Sequence, residues 1–405
     1  MATMLRSLLP RRSFASSFSS IYQRPSFSTS LNAATSSLHD VDQSSNSHNY
    51  IKARLDYKTL VKHVDNAIEN VKKRCSDGNP QRVVELYQQQ VKLRHTVNVL
   101  RNERNKHAKE LQQTTKTTSE AMNTIRRRGQ TLKQEILRLE TELTHVSTEL
   151  ELEALKLPNN THPNVPIGGV NESQVVSIHG ERPTFNFPPQ DHADLGLHLR
   201  LFDTQLGAKV AESKFTYLCN EGAMMELALI HYTLTKLQAR GFTIIFPPDV
   251  AHEKLIEGCG FQPRGEATQM YSLANSNLCL TATSEITLAA MKSNQVIPTT
   301  SLPLKYAGLS HCFRTEIGHG GRLTRGIYRI HQFSKVEMFG FCANEFQSQV
   351  FFDEMVEIEM EIYTELGLHY QIVNMATSEL GAPAYRKYDF LAWMPGRQTF
   401  QETFK

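Results

Sequence analysis

The chain has 405 residues, with 44 Lys and Arg against 41 Asp and Glu and a formal net charge of +3. That length accommodates two or three domains, each with its own core, and so small a net charge says less about partners than the placement of the charges does. No run reaches the roughly 18 apolar residues that a membrane-crossing helix requires; Cys75, Cys219, Cys259, Cys279, Cys312 and Cys342 form neither a C-x-x-C metal pair nor a disulfide framework.

Residues 1–39 hold no Asp or Glu, while Arg6, Arg11, Arg12 and Arg24 stand among many serines, and Leu5, Leu8 and Leu9 line one face of a short basic helix. Arg-rich, Ser-rich and acid-free is the composition of a mitochondrial or plastid transit peptide. A merely disordered terminus has the same composition. The expectation is a presequence and polar linker over residues 1–49, cut between Phe14 and Asn49, with the mitochondrial matrix preferred to the plastid as destination.

A short helix is expected over residues 57–73, closed by the turn Asp77-Gly78-Asn79-Pro80. Two long helical segments follow. In the second, Leu132, Ile136, Leu139, Leu143, Val146 and Leu150 alternate spacings of four and three, which is a heptad seam. In the first, Leu86, Leu93, Val97, Leu100 and Leu111 hold a stripe that Arg104 and His107 interrupt. The Thr-rich stretch 114–119 is the natural reversal point, so residues 50–160 read as an antiparallel helical hairpin with arms of roughly 50 Å.

Charge along this hairpin is uneven. Between Lys92 and Arg138 lie twelve Lys and Arg against four Glu, and after Arg138 the sign reverses with Glu140, Glu142, Glu149, Glu151 and Glu153. A basic arm projecting from a body suits a phosphate backbone, and Arg101, Arg104, Lys109, Arg126, Arg127 and Arg128 are the candidate contacts. The same pattern is also that of a solvated coiled-coil surface, and composition alone leaves both readings open.

Leu157-Pro158-Asn159-Asn160 stops the second helix, and the prolines and glycines of residues 161–174 read as a linker. Residues 175–405 mix strands and helices without regular βαβ alternation. Strands are expected at residues 175–178, 243–246, 277–280, 306–310 and 332–338, and long helices at 221–240 and 344–366. The sequence has neither a G-x-G-x-x-G nor a G-x-x-x-x-G-K-[ST] phosphate loop. The fold class is therefore α+β, a helical arm followed by a sheet-based domain.

Phe313-Arg314-Thr315-Glu316 and Arg329-Ile330-His331-Gln332-Phe333-Ser334-Lys335-Val336-Glu337 flank a Gly-rich loop that also contains Arg322 and Arg325. Read as two strands, this places Arg314 with Glu316 on one face, and Phe333, Lys335 and Glu337 together on another. Arginine, carboxylates and an aromatic ring are too polar for a core. They suit an anionic nucleotide, because guanidinium pairs with phosphate and a ring stacks on a base; an exposed hairpin with ordinary cross-strand ion pairs carries the same residues.

The F-R-x-E, loop, R-x-H-Q-F-x-K-x-E series resembles motif 2 of the class II aminoacyl-tRNA synthetases in its seryl version. Residues 242–248 resemble motif 1, with Pro248 as its proline, and Leu280-Thr281-Ala282-Thr283-Ser284-Glu285 resembles the serine-binding T-x-E loop. Trp393-Met394-Pro395-Gly396-Arg397 resembles the approach to the late ATP-binding strand. The basic hairpin falls where the seryl-tRNA synthetase family carries a tRNA-gripping arm, so the likeness covers residues 57–397. It implies a class II antiparallel-sheet catalytic domain and a homodimer formed through motif 1. The implied reaction is ATP-dependent activation of L-serine to seryl-adenylate, with Mg²⁺, followed by transfer to tRNA(Ser). Carried over by position, Arg314 and Glu316 are the catalytic pair, Arg314 holding the ATP α-phosphate and Glu316 orienting the adenine end; Thr315 belongs to the same ATP site, and Phe333 stacks on adenine. Thr283, Ser284, Glu285 and Glu337 bind serine, and Glu402 binds ATP and metal. After Arg397 the family pattern continues to motif 3, whereas this sequence reads Gln398-Thr399-Phe400-Gln401-Glu402-Thr403-Phe404-Lys405. The likeness thus leads to the expectation of a C-terminally incomplete catalytic domain that binds tRNA better than it forms adenylate, with a non-catalytic tRNA-binding or dimerising paralogue as the alternative.

Overall fold

A computed structural model of the protein describes residues 55–113, 119–261, 270–316 and 325–402. The expected presequence, the hairpin tip and Arg322 lie outside the described residues.

The chain enters through α1 (Tyr57–Lys62) and α2 (Val64–Lys73). The single helix expected here is broken at His63, whose φ of −127° and ψ of 38° leave the helical region. Asp56 starts α1 by accepting the Thr59 amide at 3.0 Å. The turn at residues 76–79 then hands over to α3 (Pro80–Gln113). Asn79 accepts the Arg82 amide at 3.0 Å, and Pro80 occupies the first helical position, where its missing N–H costs nothing. With α4 (Ser119–Leu155) it forms the antiparallel hairpin.

Val83, Leu86 and Val97 of α3 are buried against Leu132, Ile136, Leu139, Val146 and Leu150 of α4. The heptads of α4 thus face the partner helix, as their spacing predicts. The weaker periodicity of α3 has a cause in the seam itself. Gln90 is buried there and donates to Ser147 Oγ at 2.9 Å, while Ser147 donates to the Leu143 carbonyl. A satisfied polar pair within an apolar seam favours one register over its neighbours.

The catalytic-type body follows in the order β1 (Gln174–His179), α5 (His192–His198), β2 (Phe202–Asp203), α6 (Thr204–Ala211), β3 (Tyr217–Leu218), α7 (Asn220–Ala239) and β4 (Thr243–Ile245). Next come β5 (Val250–His252), α8 (Glu253–Gly258), β6 (Leu278–Leu280), α9 (Ser284–Ala290), β7 (Leu304–Phe313), β8 (Gln332–Phe341), α10 (Glu345–Glu365), β9 (Tyr370–Asn374), β10 (Tyr388–Met394) and β11 (Thr399–Glu402). Among the described residues β1-β9-β10-β11 form an antiparallel sheet, and β7 pairs antiparallel with β8 and parallel with β4. One core joins the two sheets: Leu237, Phe242, Ala307, Phe351, Ile358, Tyr363, Tyr370, Ile372 and Phe390 pack together, so α7 and α10 cover both. A smaller core of Ala251, Ile256, Met270, Cys279, Ala282 and Ile286 holds α8 and α9 together.

Two further expectations are corrected, and the linker is found in contact with the body. The strands 306–310 and 332–338 extend to the full lengths of β7 and β8, because ten residue pairs continue the ladder through both. Arg314 and Glu316 do not share a strand face. β7 ends at Phe313, and Glu316 takes φ 42°, a left-handed turn that destroys the alternation. The linker 161–174 is docked along the body: the His162 amide donates to Tyr385 O at 3.0 Å, and the Asn374 side chain donates to Asn164 O at 2.8 Å. All six cysteines are free, as their spread predicts.

Candidate active site

The site is assembled where the segment between β6 and α9 crosses the β7–β8 ladder. Thr281 anchors that segment: its amide donates to Asp249 O and its carbonyl accepts the Phe313 amide, both at 2.9 Å. Thr283 then adopts extended backbone and caps α9, accepting the Glu285 amide at 3.2 Å. Gly308 on β7 is what lets α9 come so close. A Cβ there would stand 2.9 Å from Leu288 Cδ1 and 3.2 Å from Ser284 Oγ.

Antiparallel register brings Phe333, Lys335 and Glu337 of β8 opposite Cys312, Ser310 and Gly308. Being two apart, they lie on one face, as the sequence predicts. There they meet the cap of α9. Thr283 donates its hydroxyl proton to Glu337 Oε2 at 2.7 Å, Lys335 Nζ donates to Thr283 Oγ1 at 2.8 Å, and Lys335 also forms an ion pair with Glu337. A hydroxyl, an ammonium and a carboxylate thus converge within a few ångströms. Glu285 is open to solvent at the same place yet surrounded by protein atoms. That loss of hydration, followed by the charge of Glu337, pushes its carboxyl above the usual glutamate range, while Lys335 opposes the shift. Glu285 and Glu337 both line a cleft of about 640 Å³ that continues along Met338, Phe339 and Asn344.

Beside this cluster, the Arg314 guanidinium lies 5.1 Å from the centre of the Phe333 ring, and its Nε donates to Ala282 O at 3.3 Å. This is a cation over an aromatic face, fixed by a backbone acceptor. His331 fastens the backbone beneath it. The Arg314 amide donates to His331 O at 2.9 Å, and His331 Nδ1–H donates to Arg314 O at 2.7 Å. Glu316 is committed to Arg329, whose Nε lies 2.8 Å away, and Lys214 donates to its carbonyl at 3.1 Å. Thr315 sits half-buried between them.

The structure therefore brings Thr283, Glu285, Glu337, Arg314 and Phe333 together. Ser284, expected with them, is wholly buried and its hydroxyl packs beside Gly308, so it serves the α9–β7 contact and not the cleft wall. Glu402 lies at the end of β11, opposite Leu391, and its carbonyl accepts the Tyr328 hydroxyl at 2.7 Å. Arg325 is paired with Asp194 at 2.6 Å. Lys335 and Arg329 belong to the motif, but spacing gives no sign that they would hold Glu337 and Glu316. Lys214, about a hundred residues upstream, carries no local signal at all.

On the arm, Arg126 and Arg127 are exposed, as are Arg104 and Lys109. Two of the expected contacts are already engaged across the hairpin: Arg101 with Glu140 and Arg128 with Glu103, each at 2.7 Å. Such exposed pairs are worth only about 0–1 kcal/mol, so both arginines remain exchangeable for an outside anion.

Residues 55–161 match the family model of the seryl-tRNA synthetase N-terminal domain, and residues 271–404 match the tRNA synthetase class II core domain (G, H, P, S and T). The chain is 41% identical over 344 residues to the serine–tRNA ligase of Treponema denticola, covering 85% of this chain and 81% of that one. It is 42% identical over 348 residues to the serine–tRNA ligase of Rubrobacter xylanophilus, covering 84% and 81%. Among solved structures it resembles the seryl-tRNA synthetase of Pyrococcus horikoshii complexed with ATP, with a TM-score of 0.76, 30% identity, and coverage of 86% and 83% of the two chains.

Proposed function

The chain belongs to the seryl-tRNA synthetase family, ATP-dependent aminoacyl-tRNA ligases, and on that premise we propose which residues do the work and where. Serine binds at the Thr283–Lys335–Glu337 cluster. The observation that carries this reading is that a buried hydroxyl and a carboxylate already hold an ammonium between them, that of Lys335. Serine offers the same group. Glu337 takes the substrate ammonium, since an unpaired cation in a closed pocket is expensive. Thr283 and Glu285 supply polar partners that alanine would leave unmet.

ATP lies alongside. Phe333 gives adenine a stacking surface, Arg314 neutralises the α-phosphate, and Glu316 with Thr315 borders the adenine end, its orientation fixed by Arg329. The serine carboxylate attacks the α-phosphorus, pyrophosphate leaves, and the terminal ribose hydroxyl of tRNA(Ser) then takes the seryl group. Alignment and charge neutralisation do most of this work, with no covalent enzyme intermediate. Magnesium held on ATP phosphates needs only one or two protein carboxylates. Glu402 is the carboxylate we assign to it.

The arm grips tRNA through phosphates at Arg126, Arg127, Arg104 and Lys109, with Arg101 and Arg128 joining when they exchange partners. Met224, Met225, Leu227 and Phe246 on α7 and just after β4 are exposed, and this apolar surface supports a homodimer formed there. A clean monomer by light scattering would count against it. The acid-free N-terminus supports a role in mitochondrial translation, and a uniform cytosolic signal from residues 1–50 fused to a fluorescent reporter would sink that reading.

The site assignment is tested by serine-dependent ATP–pyrophosphate exchange. Glu337→Gln and Thr283→Val should each raise the KM for serine, Glu337→Gln by roughly 30-fold or more, since a charge-assisted bond is worth about 2 kcal/mol. The KM for ATP should move little. Unchanged serine KM values would remove the cluster from the site. A chain that binds tRNA while showing no exchange would instead support the non-catalytic reading.

A further inference from the structure

Arg74, the residue that closes α2 at the base of the arm, is only 5% exposed, although arginine rarely enters a protein interior without a carboxylate. Its acceptors are four carbonyls and one hydroxyl. Nη1 donates to Ala384 O at 2.9 Å, to Asn159 O at 3.4 Å and to Thr161 Oγ1 at 3.4 Å; Nη2 donates to Gly381 O at 2.6 Å and Leu380 O at 3.3 Å. Two of these belong to the chain leaving the arm, and three to the body loop between β9 and β10, over 300 residues away. A planar five-donor fork can collect so many carbonyls, which a lysine ammonium cannot.

The seam around it is continuous. The Asn159 amide donates to Ala382 O at 2.8 Å, its side chain to Pro383 O at 3.0 Å, and the His162 amide to Tyr385 O at 3.0 Å. Asn70 of α2 donates to Asn159 O and accepts the Thr161 hydroxyl. On the body side, Pro383 presses on Gly260, where a Cβ would lie 3.0 Å from its Cδ. Gly260 follows α8, whose Ile256 shares a core with Ala282 and Ile286 on either side of Thr283. These contacts seat the latched loop on the body, whereas the hydrogen bonds of Thr283 run to Glu285, Lys335 and Glu337, away from the seam.

We propose that Arg74 is a positioning residue for the tRNA-dependent step: it latches the base of the arm to the loop Leu380–Ala384 and so holds an arm-bound tRNA in register with the adenylate site. Serine activation uses nothing that crosses this seam, so the two half-reactions should separate when the latch is removed. The inference rests on the reading of the arm as the tRNA-gripping element.

The test uses the full chain with Arg74→Met, which removes the fork and keeps an apolar stem, and with Arg74→Lys. Misplacement by about 1 Å can cost roughly 10²-fold in rate, so kcat/KM for tRNA charging should fall by that order in Arg74→Met. Serine-dependent ATP–pyrophosphate exchange should keep its rate and both KM values. Arg74→Lys should recover part of the loss. Hydrogen exchange should quicken at the Asn159 and His162 amides while the α3–α4 seam keeps its protection, and this readout decides the latch whatever the turnover. Unchanged protection at those amides overturns the proposal, and so does a charging loss matched by an equal loss of exchange activity. Should Arg74→Met not fold, Asn159→Ala, which deletes the bond to Pro383 O and keeps Arg74, must show the same pattern more weakly. A control with Arg101, Arg104, Lys109, Arg126, Arg127 and Arg128 all changed to Ala separates the two readings: wild-type tRNA binding there refutes the arm as tRNA grip and leaves the amide result for the latch standing.

Discussion

Replacing Glu359 by Gln should make the protein more stable above neutral pH and leave it unchanged in acid. Glu359 lies on α10, largely enclosed, and looks toward Glu337 on β8 and Asp389 on β10. Burial first, then these two negative charges, push its carboxyl up to about 7. Lys335 pairs with Glu337, and Lys387 lies 3.0 Å from Asp389, so each cation moderates the local field through its own carboxylate. The folded protein then binds a proton at Glu359 that the unfolded chain has released, at every pH between about 4.3 and 7. Stability from this group is therefore intact below the ordinary glutamate value, falls as pH rises through that window, and is flat above it. At about 1.4 kcal/mol per pH unit the whole window amounts to roughly 3–4 kcal/mol. Water reaches the carboxyl in part, so about half of that is expected to be measured. Wild type and Glu359→Gln should be unfolded by heat or urea at pH 5 and pH 8. The uncharged amide carries any packing cost equally at both, so the difference between the two pH values isolates the proton. An identical wild-type-to-variant difference at pH 5 and pH 8 would refute the reasoning.

Two further outcomes follow from particular residues. Glu212, at the end of α6, is held at φ 87° and ψ 173°, a region open essentially to glycine alone. Glu212→Gly should therefore stabilise the body by about 1 kcal/mol after the greater freedom of an unfolded glycine is subtracted, and a lowered melting midpoint would show that the strain is not there. Changing Arg126, Arg127 and Arg128 to Ala should flatten the salt dependence of tRNA binding by up to about one log–log unit for each phosphate that is no longer neutralised. Arg128, paired with Glu103, should contribute least when the three are changed singly; an unchanged slope in the triple variant would mean that none of them touches RNA.

The long periodic elements are legible in the sequence because their information is local. The heptads of α4, the helix α10 and the alternation of Phe333, Lys335 and Glu337 each follow from spacing on a single element, and the structure keeps all three. Arg314, Thr283 and Glu337 are singled out by the resemblance to the family's motifs, and the fold brings the three together. Among the short elements, the apolar runs of β1, β4 and β6 are legible, whereas the seven residues of α9 and the five of β9 display no period and are fixed by what packs around them. Spacing also misplaces Glu316, since one residue with positive φ ends the strand alternation at a point that no pattern marks. The contacts that build the site and the arm–body seam lie further still from the reach of sequence. Lys335 meets Thr283 across 52 residues, Lys214 meets Glu316 across 102, and Arg74 meets Ala384 across 310. Periodicity and propensity act over a few residues, so they decide what each segment becomes. Which side chains then share a pocket is decided by register across the β7–β8 ladder and by the two cores beneath it, and only the folded chain contains those.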